Sequence, residues 1–499
     1  MRLHSTRLAF TLGAVVTAMG STVALSETLT VALANNLNTL DPHMTASVGT
    51  DLSLLSHLYP PLVMRGPDLK LRPHVATSWE RIDDLTWRFR LRDDARFSDG
   101  TPIDAAAVKW NIDRVKNPDT RARVGIWFAL VSEVRVISPT ELEIRTSAPF
   151  PALDAQLSMF LLLPPAWAAA HNPAAETSSG GAYAVREMVP GDHITLAANP
   201  GYWGQRPQFD EVVFRVIPDA ASRIAALLAG EVDLVTNIPT GEIARIGETG
   251  RARAGSVPST RTAFIKINTE KPPMDDKTVR QALNHAVDKA AIAEALFDGR
   301  ARVSDCQILT PDYVGYNPDL SPYSYDPDLA VQMLKESGAD LSEPIELEVA
   351  TNTYLNGEEV TQAVAEMLGA VGVQTRITEM QYGTWMDRYL KSRELGRMGL
   401  ASFAWPTLDA DGILNLFTTG NPYAYWSNPD FDAAVKAARA PTDPAARAAE
   451  YRKATAIMCD EAPAIFLYTQ PTTYGTSNRV TWAARGDDWI RAWDVSLAQ

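Results

Sequence analysis

Hydrophobic and polar positions alternate in short runs along much of this chain. In "TWRFRLR", Trp87, Phe89 and Leu91 fall on one side and Arg88, Arg90 and Arg92 on the other, the period-two pattern of a strand with one face buried. "EVVFRVI" at 211–217, "TAFIKIN" at 262–268 and "IELEVAT" at 345–351 read the same way. Between the strands the period lengthens. In "DKTVRQALNHAVDKAAIAEALFDG", Val279, Ala282, Leu283, Ala286, Val287 and Ala290 recur every three or four residues, which predicts one amphipathic helix over 277–298. Asp275 or Asp276 can cap its start, because a short carboxylate accepts the orphan N–H groups of a first turn, and Gly299 can cap its end. A second unit runs from the helical "GEEVTQAVAEMLGAVG" past Gly372 into the strand "VQTRITEM". Helix and strand alternating in this way predict α/β lobes.

The first residues, "MRLHSTRLAFTLGAVVTAMGSTVALSE", depart from this pattern. Arg2 and Arg7 precede an apolar stretch that ends at the small-residue site Ala24-Leu25-Ser26, the layout of a cleavable secretory signal over 1–26. The stretch is too short and too rich in Thr, Ser and Gly for a membrane span, and no cysteine follows it to carry a lipid anchor. The expectation is a mature chain from about Glu27, released outside the cytoplasm. The most apolar later run, "LSMFLLLPPAWAAA", is broken by Pro164-Pro165. What remains is long enough for two or three lobes. No internal repeat, low-complexity tract or proline-rich linker divides it, which favours lobes joined by short strand crossings.

Without Arg2 and Arg7, the 46 Lys and Arg fall to 44 against 60 Asp and Glu, a net charge of −16. A balance of that sign disfavours nucleic acid and anionic lipid as partners. Cys306 and Cys459 match no zinc spacing; an oxidising compartment would let them bridge, and sequence leaves that open. The seven histidines, His4, His43, His57, His74, His171, His193 and His285, include no i,i+4 pair and no HExxH, so no metal or other cofactor is expected. His285, inside the predicted 277–298 helix, reads as a packed or surface residue. There is neither a GxSxG elbow nor a GxxxxGK[ST] phosphate loop, and "SSGGAY" at 178–183 reads as a turn entering a strand. The remaining catalytic candidate is Asp409 with Asp411 in "AWPTLDADGILNLF". Two carboxylates at i and i+2 are either the acid/base pair of a secreted hydrolase or caps of a helix whose core side carries Ile413, Leu414 and Phe417.

Several stretches together resemble one family, the periplasmic substrate-binding proteins of peptide- and nickel-type ABC importers (solute-binding family 5). They are "NTLDPHMT" near the mature start, "LRPHVATSWERIDDLTWRFRLRDDARFSDGTPIDAAAVKWNIDRV" at 71–115, "ANPGYWGQRPQFDEVVFRVIPDAASRIAALLAGEVDLV" at 198–235, "FIKINTEKPPMDDKTVRQALNHAVDKAAI" at 264–292 and "YNPDLSPYSYDPDLAVQMLKESG" at 316–338. Most of this likeness is structural. Asp99-Gly100 supplies a turn after a strand, Pro102 stiffens its exit, and Asp104 can cap the helix carrying Val108 and Trp110. The resemblance implies an α/β, two-lobed periplasmic binding protein fold (type II) with an extra subdomain inserted in lobe I. Lobe I would span 27–268 with its subdomain at about 60–180, lobe II 269–470, and 471–499 would return to lobe I. It further implies a periplasmic monomer without enzymatic activity that closes its lobes on a peptide or peptide-like solute and delivers it to ABC permease subunits served by cytoplasmic ATPases. Presentation of the closed form to a membrane chemoreceptor is the alternative.

For the ligand site, Trp405 ends the strand "LASFAW" and Tyr354 follows "IELEVAT", both where an inter-lobe cleft would open. From the first lobe the matching region offers Thr45, Ser47 and Gly49, whose small side chains would let ligand approach the backbone. Relatives that bind dipeptides carry an acidic residue after the tryptophan for the α-ammonium and an arginine for the α-carboxylate. Here the span between Trp405 and "DADGIL" is shortened, so Asp409 is either a replacement contact or a helix cap, and Asn352 stands in the arginine's place. A buried zwitterion left unpaired costs several kcal/mol, which removes most of a micromolar affinity. Simple dipeptides are therefore not expected; longer or modified peptides, glutathione-like compounds, opines, glycoside-like solutes and chelated metal remain.

Overall fold

The computed structural model describes residues 27–45, 47–351, 353–441 and 443–498, with the backbone alone described at Val48. The expected signal over 1–26 and the candidate Asn352 lie outside the described residues.

One long sheet runs through the molecule. Its strands lie in the order Thr375–Met380, Ile345–Ala350, Met398–Phe403, Ala252–Ile267, Ala464–Ser477, Leu234–Thr236, Thr28–Leu33, Glu211–Val216, His193–Ala198 and Tyr183–Val189. The two longest strands are its spine. Ala252–Ile267 and Ala464–Ser477 pair antiparallel from Ala252↔Ser477 to Lys266↔Ala464, with the register shifting between Pro258 and Thr262. Pro258 faces Pro471 at that point, and neither residue has an N–H to donate, so the regular ladder is interrupted and the ribbon can bulge.

The hydrophobic core divides at the same place. On one side, Leu29, Phe89, Phe214 and Val480 belong to one buried cluster. On the other, Ile265, Leu283 and Leu347 form a second, and Phe264, Phe417 and Tyr451 a third. Two α/β lobes thus share a pair of strands. The first lobe also carries a separate four-stranded antiparallel sheet, ordered Ala76–Asp83, Thr86–Leu91, Glu141–Thr146 and Val131–Ser138. Its second strand buries Trp87, Phe89 and Leu91, as the alternation predicts.

Side-chain caps open many of the helices. Asp104 accepts a hydrogen bond from the Ala107 N–H at 2.9 Å at the head of Ala105–Lys116, just after Gly100 turns the chain at φ +83°. The helix expected over 277–298 is in fact two, Lys277–Ala286 and Lys289–Phe297. Asp276 caps the first through the Thr278 N–H at 2.7 Å, and Asp288 opens the second through the Ala291 N–H at 2.9 Å. The apolar period continues across the break, so periodicity alone cannot detect it; the capping carboxylate in mid-run is the signal that marks it. Gly357–Ala370 stops near Gly372, which takes φ +90°, and Thr375–Met380 then pairs parallel with Ile345–Ala350. Cys306 and Cys459 are joined in a disulfide, their Cα atoms 5.3 Å apart. Among the described residues, no helix is long and apolar enough to cross a membrane.

Candidate functional site

Residues nominated from opposite lobes converge where the shared strands bulge. From the first lobe comes the 45–49 segment. Thr45 is buried and occupied: its hydroxyl donates to Asp51 at 2.7 Å and accepts the Ser47 N–H at 2.9 Å. Asn38 donates to the same carboxylate at 3.1 Å. Burial pushes the Asp51 carboxyl up from its ordinary value, and these donors pull it back. Thr45 therefore builds the loop, while Gly49 presents its backbone: a Cβ there would lie 3.8 Å from Cβ of Asp488.

Asp488 leads to the bulge. It adopts φ +62°, a left-handed conformation uncommon for a residue with a side chain. One carboxylate oxygen accepts from the Thr472 hydroxyl at 2.6 Å; the other faces Nε and Nη2 of Arg261 at 3.4 and 3.5 Å. Arg261 sits inside the bulge, and its Nη1 reaches across to the Ser402 carbonyl of the second lobe at 3.3 Å. Tyr354 is half-buried on that lobe, packed against its core. Burial pushes the hydroxyls of Tyr354 and Tyr382 up, and the Arg261 charge pulls both back, which places the two tyrosines in its field.

Trp405 is one of the contacts between the lobes. It is partly buried against the core of the first lobe and against that of the second. Its backbone N–H donates to the Tyr313 hydroxyl at 2.6 Å, and its ring lies so close over Gly412 that a Cβ there would fall 2.0 Å from Cδ1. Two residues on, the Thr407 carbonyl accepts from Nη2 of Arg65, a first-lobe residue, at 3.0 Å.

The two aspartates form two separate ion pairs. Asp409 is buried, accepts from the Asp411 N–H at 3.0 Å as the cap of Ala410–Leu414, and meets Nη2 of Arg447 at 2.8 and 2.9 Å through its two oxygens. Burial pushes its carboxyl up against the pull of Arg447. Asp411 pairs instead with Arg439 at 2.6 Å. Each carboxylate thus has its own guanidinium partner, and the cap geometry is the one on display. Ile413, Leu414 and Phe417 are buried as expected. Among the described residues, no group of His, Cys, Asp and Glu is arranged to hold a metal ion.

Sequence reasoning missed Arg65, Arg261 and Asp488. Arg261 had one available signal, a charge immediately before the apolar strand "TAFIKIN". Asp488 had none, since its contacts are with Thr472 and Arg261, the second more than two hundred residues away.

Comparison with known proteins gives one consistent picture. The family model described as "Bacterial extracellular solute-binding proteins, family 5 Middle" matches residues 70–425. The glutathione-binding protein GsiB of Salmonella typhimurium is 28% identical over 472 residues, covering 90% of each chain. The dipeptide-binding protein of Escherichia coli is 29% identical over 435 residues, covering 79% of this chain and 80% of its own. Among solved structures, the periplasmic binding protein DppA of Helicobacter pylori, in complex with the peptide STSA, superposes with a TM-score of 0.84 at 20% identity, covering 95% of this chain and 98% of its own. NikZ of Campylobacter jejuni, in complex with Ni(L-His), gives 0.83 at 20% identity, covering 94% and 99%.

Proposed function

The chain belongs to the bacterial extracellular solute-binding proteins of family 5, and from that premise we propose that it captures a peptide or peptide-like solute between its lobes and delivers it to an ABC permease. The observation that carries this reading is the joint itself. Two separately packed lobes are linked through one bulged ribbon, and Trp405 touches both cores beside it. Such a joint lets the lobes swing together, and closing them on a solute expels water and creates the shape a permease can recognise. The working form is a periplasmic monomer that returns its guest unaltered. Support for the location comes from relatives such as the periplasmic binding protein DppA. Support for binding over hydrolysis comes from Asp409 and Asp411, each engaged by its own arginine.

Trp405, Tyr354, Ser47 and Gly49 line the guest's site in this reading, with Thr45 and Asp409 holding the loops that carry them. A thermal-shift screen of di- and tripeptides, glutathione and nickel–histidine chelate tests it, because a ligand that binds only the folded state raises the melting temperature by mass action. Trp405→Ala is expected to weaken binding of the best solute at least about tenfold, as for loss of a buried aromatic contact, with that solute recovered chemically intact from the wild-type complex. Turnover of the solute, or full affinity in Trp405→Ala, would refute the reading.

A further inference from the structure

We propose that Arg261 and Asp488 are the charged anchors of the ligand site, and that they recognise a free α-amino-acid head group, with ammonium and carboxylate on the same carbon. The inference rests on the binding function proposed above and specifies the solute.

The geometry of the pair is that of groups awaiting a better partner. Several Arg–Asp contacts elsewhere in the molecule are much tighter: Arg447–Asp409 at 2.8 Å, Arg114–Asp41 at 2.6 Å and Arg479–Asp233 at 2.6 Å. Arg261 approaches Asp488 no nearer than 3.4 Å and Ser402 no nearer than 3.3 Å. A guanidinium has five N–H donors in a flat fork suited to a carboxylate, and here only long contacts engage it. Both side chains remain accessible, Arg261 at 29% and Asp488 at 31%. Asp488 is nevertheless aimed: Thr472 holds one oxygen at 2.6 Å and the backbone is fixed at φ +62°, the kind of local strain that collects at binding sites. Gly49 sets no side chain beside it, where a Cβ would lie 3.8 Å from Cβ of Asp488, and Tyr354 and Tyr382 stand within the field of Arg261 on the far side.

Charge balance and spacing then select the guest. The pair is neutral together, so a ligand bringing a carboxylate alone would leave the site with an unmatched negative charge. A ligand bringing both charges leaves it neutral, its carboxylate on Arg261 and its ammonium on Asp488. The two anchors are side by side, which fits opposite charges on one carbon. It does not fit the two ends of an ordinary tripeptide, which an extended chain separates by about 3.5 Å per residue. A γ-linked glutamyl peptide carries such a head group; its α-linked isomer does not.

Isothermal titration of the whole mature protein with glutathione, and with the α-linked isomer Glu-Cys-Gly of identical composition and charge, tests this. Wild type is expected to prefer glutathione by about thirtyfold or more, the worth of one to two charge-assisted contacts. Arg261→Gln and Asp488→Asn are expected to bind both isomers weakly and alike, with empty-state melting close to wild type. If Arg261→Gln does not fold, Asp488→Asn and the wild-type preference decide. Equal binding of the two isomers by wild type, or a preference that survives in the variants, would overturn the inference and leave the binding function standing. Binding of neither isomer, with ordinary tripeptides bound, would do the same. Failure of every solute in the wider thermal-shift panel would count against both.

Discussion

Asp409→Asn separates the two roles of this carboxylate. The amide keeps an oxygen for the Asp411 N–H, so the helix cap survives, but the charge facing Arg447 is lost. Asp409 is 4% exposed and Arg447 5%, and among the described residues the guanidinium has, besides Asp409, long contacts to the Ala438 carbonyl at 3.4 Å and the Tyr451 hydroxyl at 3.3 Å. A buried arginine stripped of its counter-charge costs about 3–5 kcal/mol. Arg447→Met is expected to cost a similar amount, and the double variant Asp409→Asn/Arg447→Met less than either single change, because no unpaired charge remains. Asp409→Ala adds about 1 kcal/mol for the lost cap. Urea unfolding of the empty protein, followed by tryptophan fluorescence, measures each midpoint. An Asp409→Asn protein with an unchanged midpoint but abolished solute binding would refute the reasoning and assign the carboxylate to the ligand.

Three other expectations follow from the packing. Gly412→Ala places a methyl within 2.0 Å of Cδ1 of Trp405, so the ring must move; solute affinity should fall and near-ultraviolet circular dichroism should change, at a stability cost of about 1–3 kcal/mol. Lys266 is buried with no hydrogen-bond partner for its Nζ among the described residues, 3.8 Å from the centre of the Phe417 ring, and burial holds its pKa well below the ordinary 10.5. The unfolded chain therefore binds the proton more tightly, stability rises with pH up to about 10.5, and Lys266→Met should raise the melting temperature and flatten that rise, which reaches about 1.4 kcal/mol per pH unit. His43 and His57 are fully buried, and desolvation lowers each to about 4. Their contribution is whole above pH 6.5 and is lost as pH falls towards 4, about 3 kcal/mol each. His57→Gln, which can still accept from the Ala492 N–H bonded here at 3.0 Å, should make acid unfolding less steep.

Local chemistry was the legible part of this chain. Alternation placed Trp87, Phe89 and Leu91 inside, Asp104 and Asp276 announced their helices, the order of helices and strands gave α/β lobes, and the family resemblance gave their number as two. Trp405 and Tyr354 could be nominated because each ends or follows a strand whose position in the sheet could be anticipated. What escaped was set by distant pairing. Arg447 lies thirty-eight residues beyond Asp409 and engages it only because the Pro429–Ala438 and Pro444–Glu461 helices pack against the loop. Asp288 was hidden for the opposite reason: the apolar period runs on through it, and only its position as a potential cap distinguishes one helix from two.

The strand Ala464–Ser477 lies between Ala252–Ile267 and Leu234–Thr236 in the sheet. A ribosome therefore makes nearly every residue of the first lobe long before the piece that closes it exists. Until the last few dozen residues emerge, that lobe has an open seam between Ala252–Ile267 and Leu234–Thr236, while the 263–463 stretch can already collapse on itself. Nicking or truncating the chain shortly before residue 464 should thus leave a nascent first half sticky and dependent on holding factors, and should make the far carboxyl end decisive for yield as well as for binding.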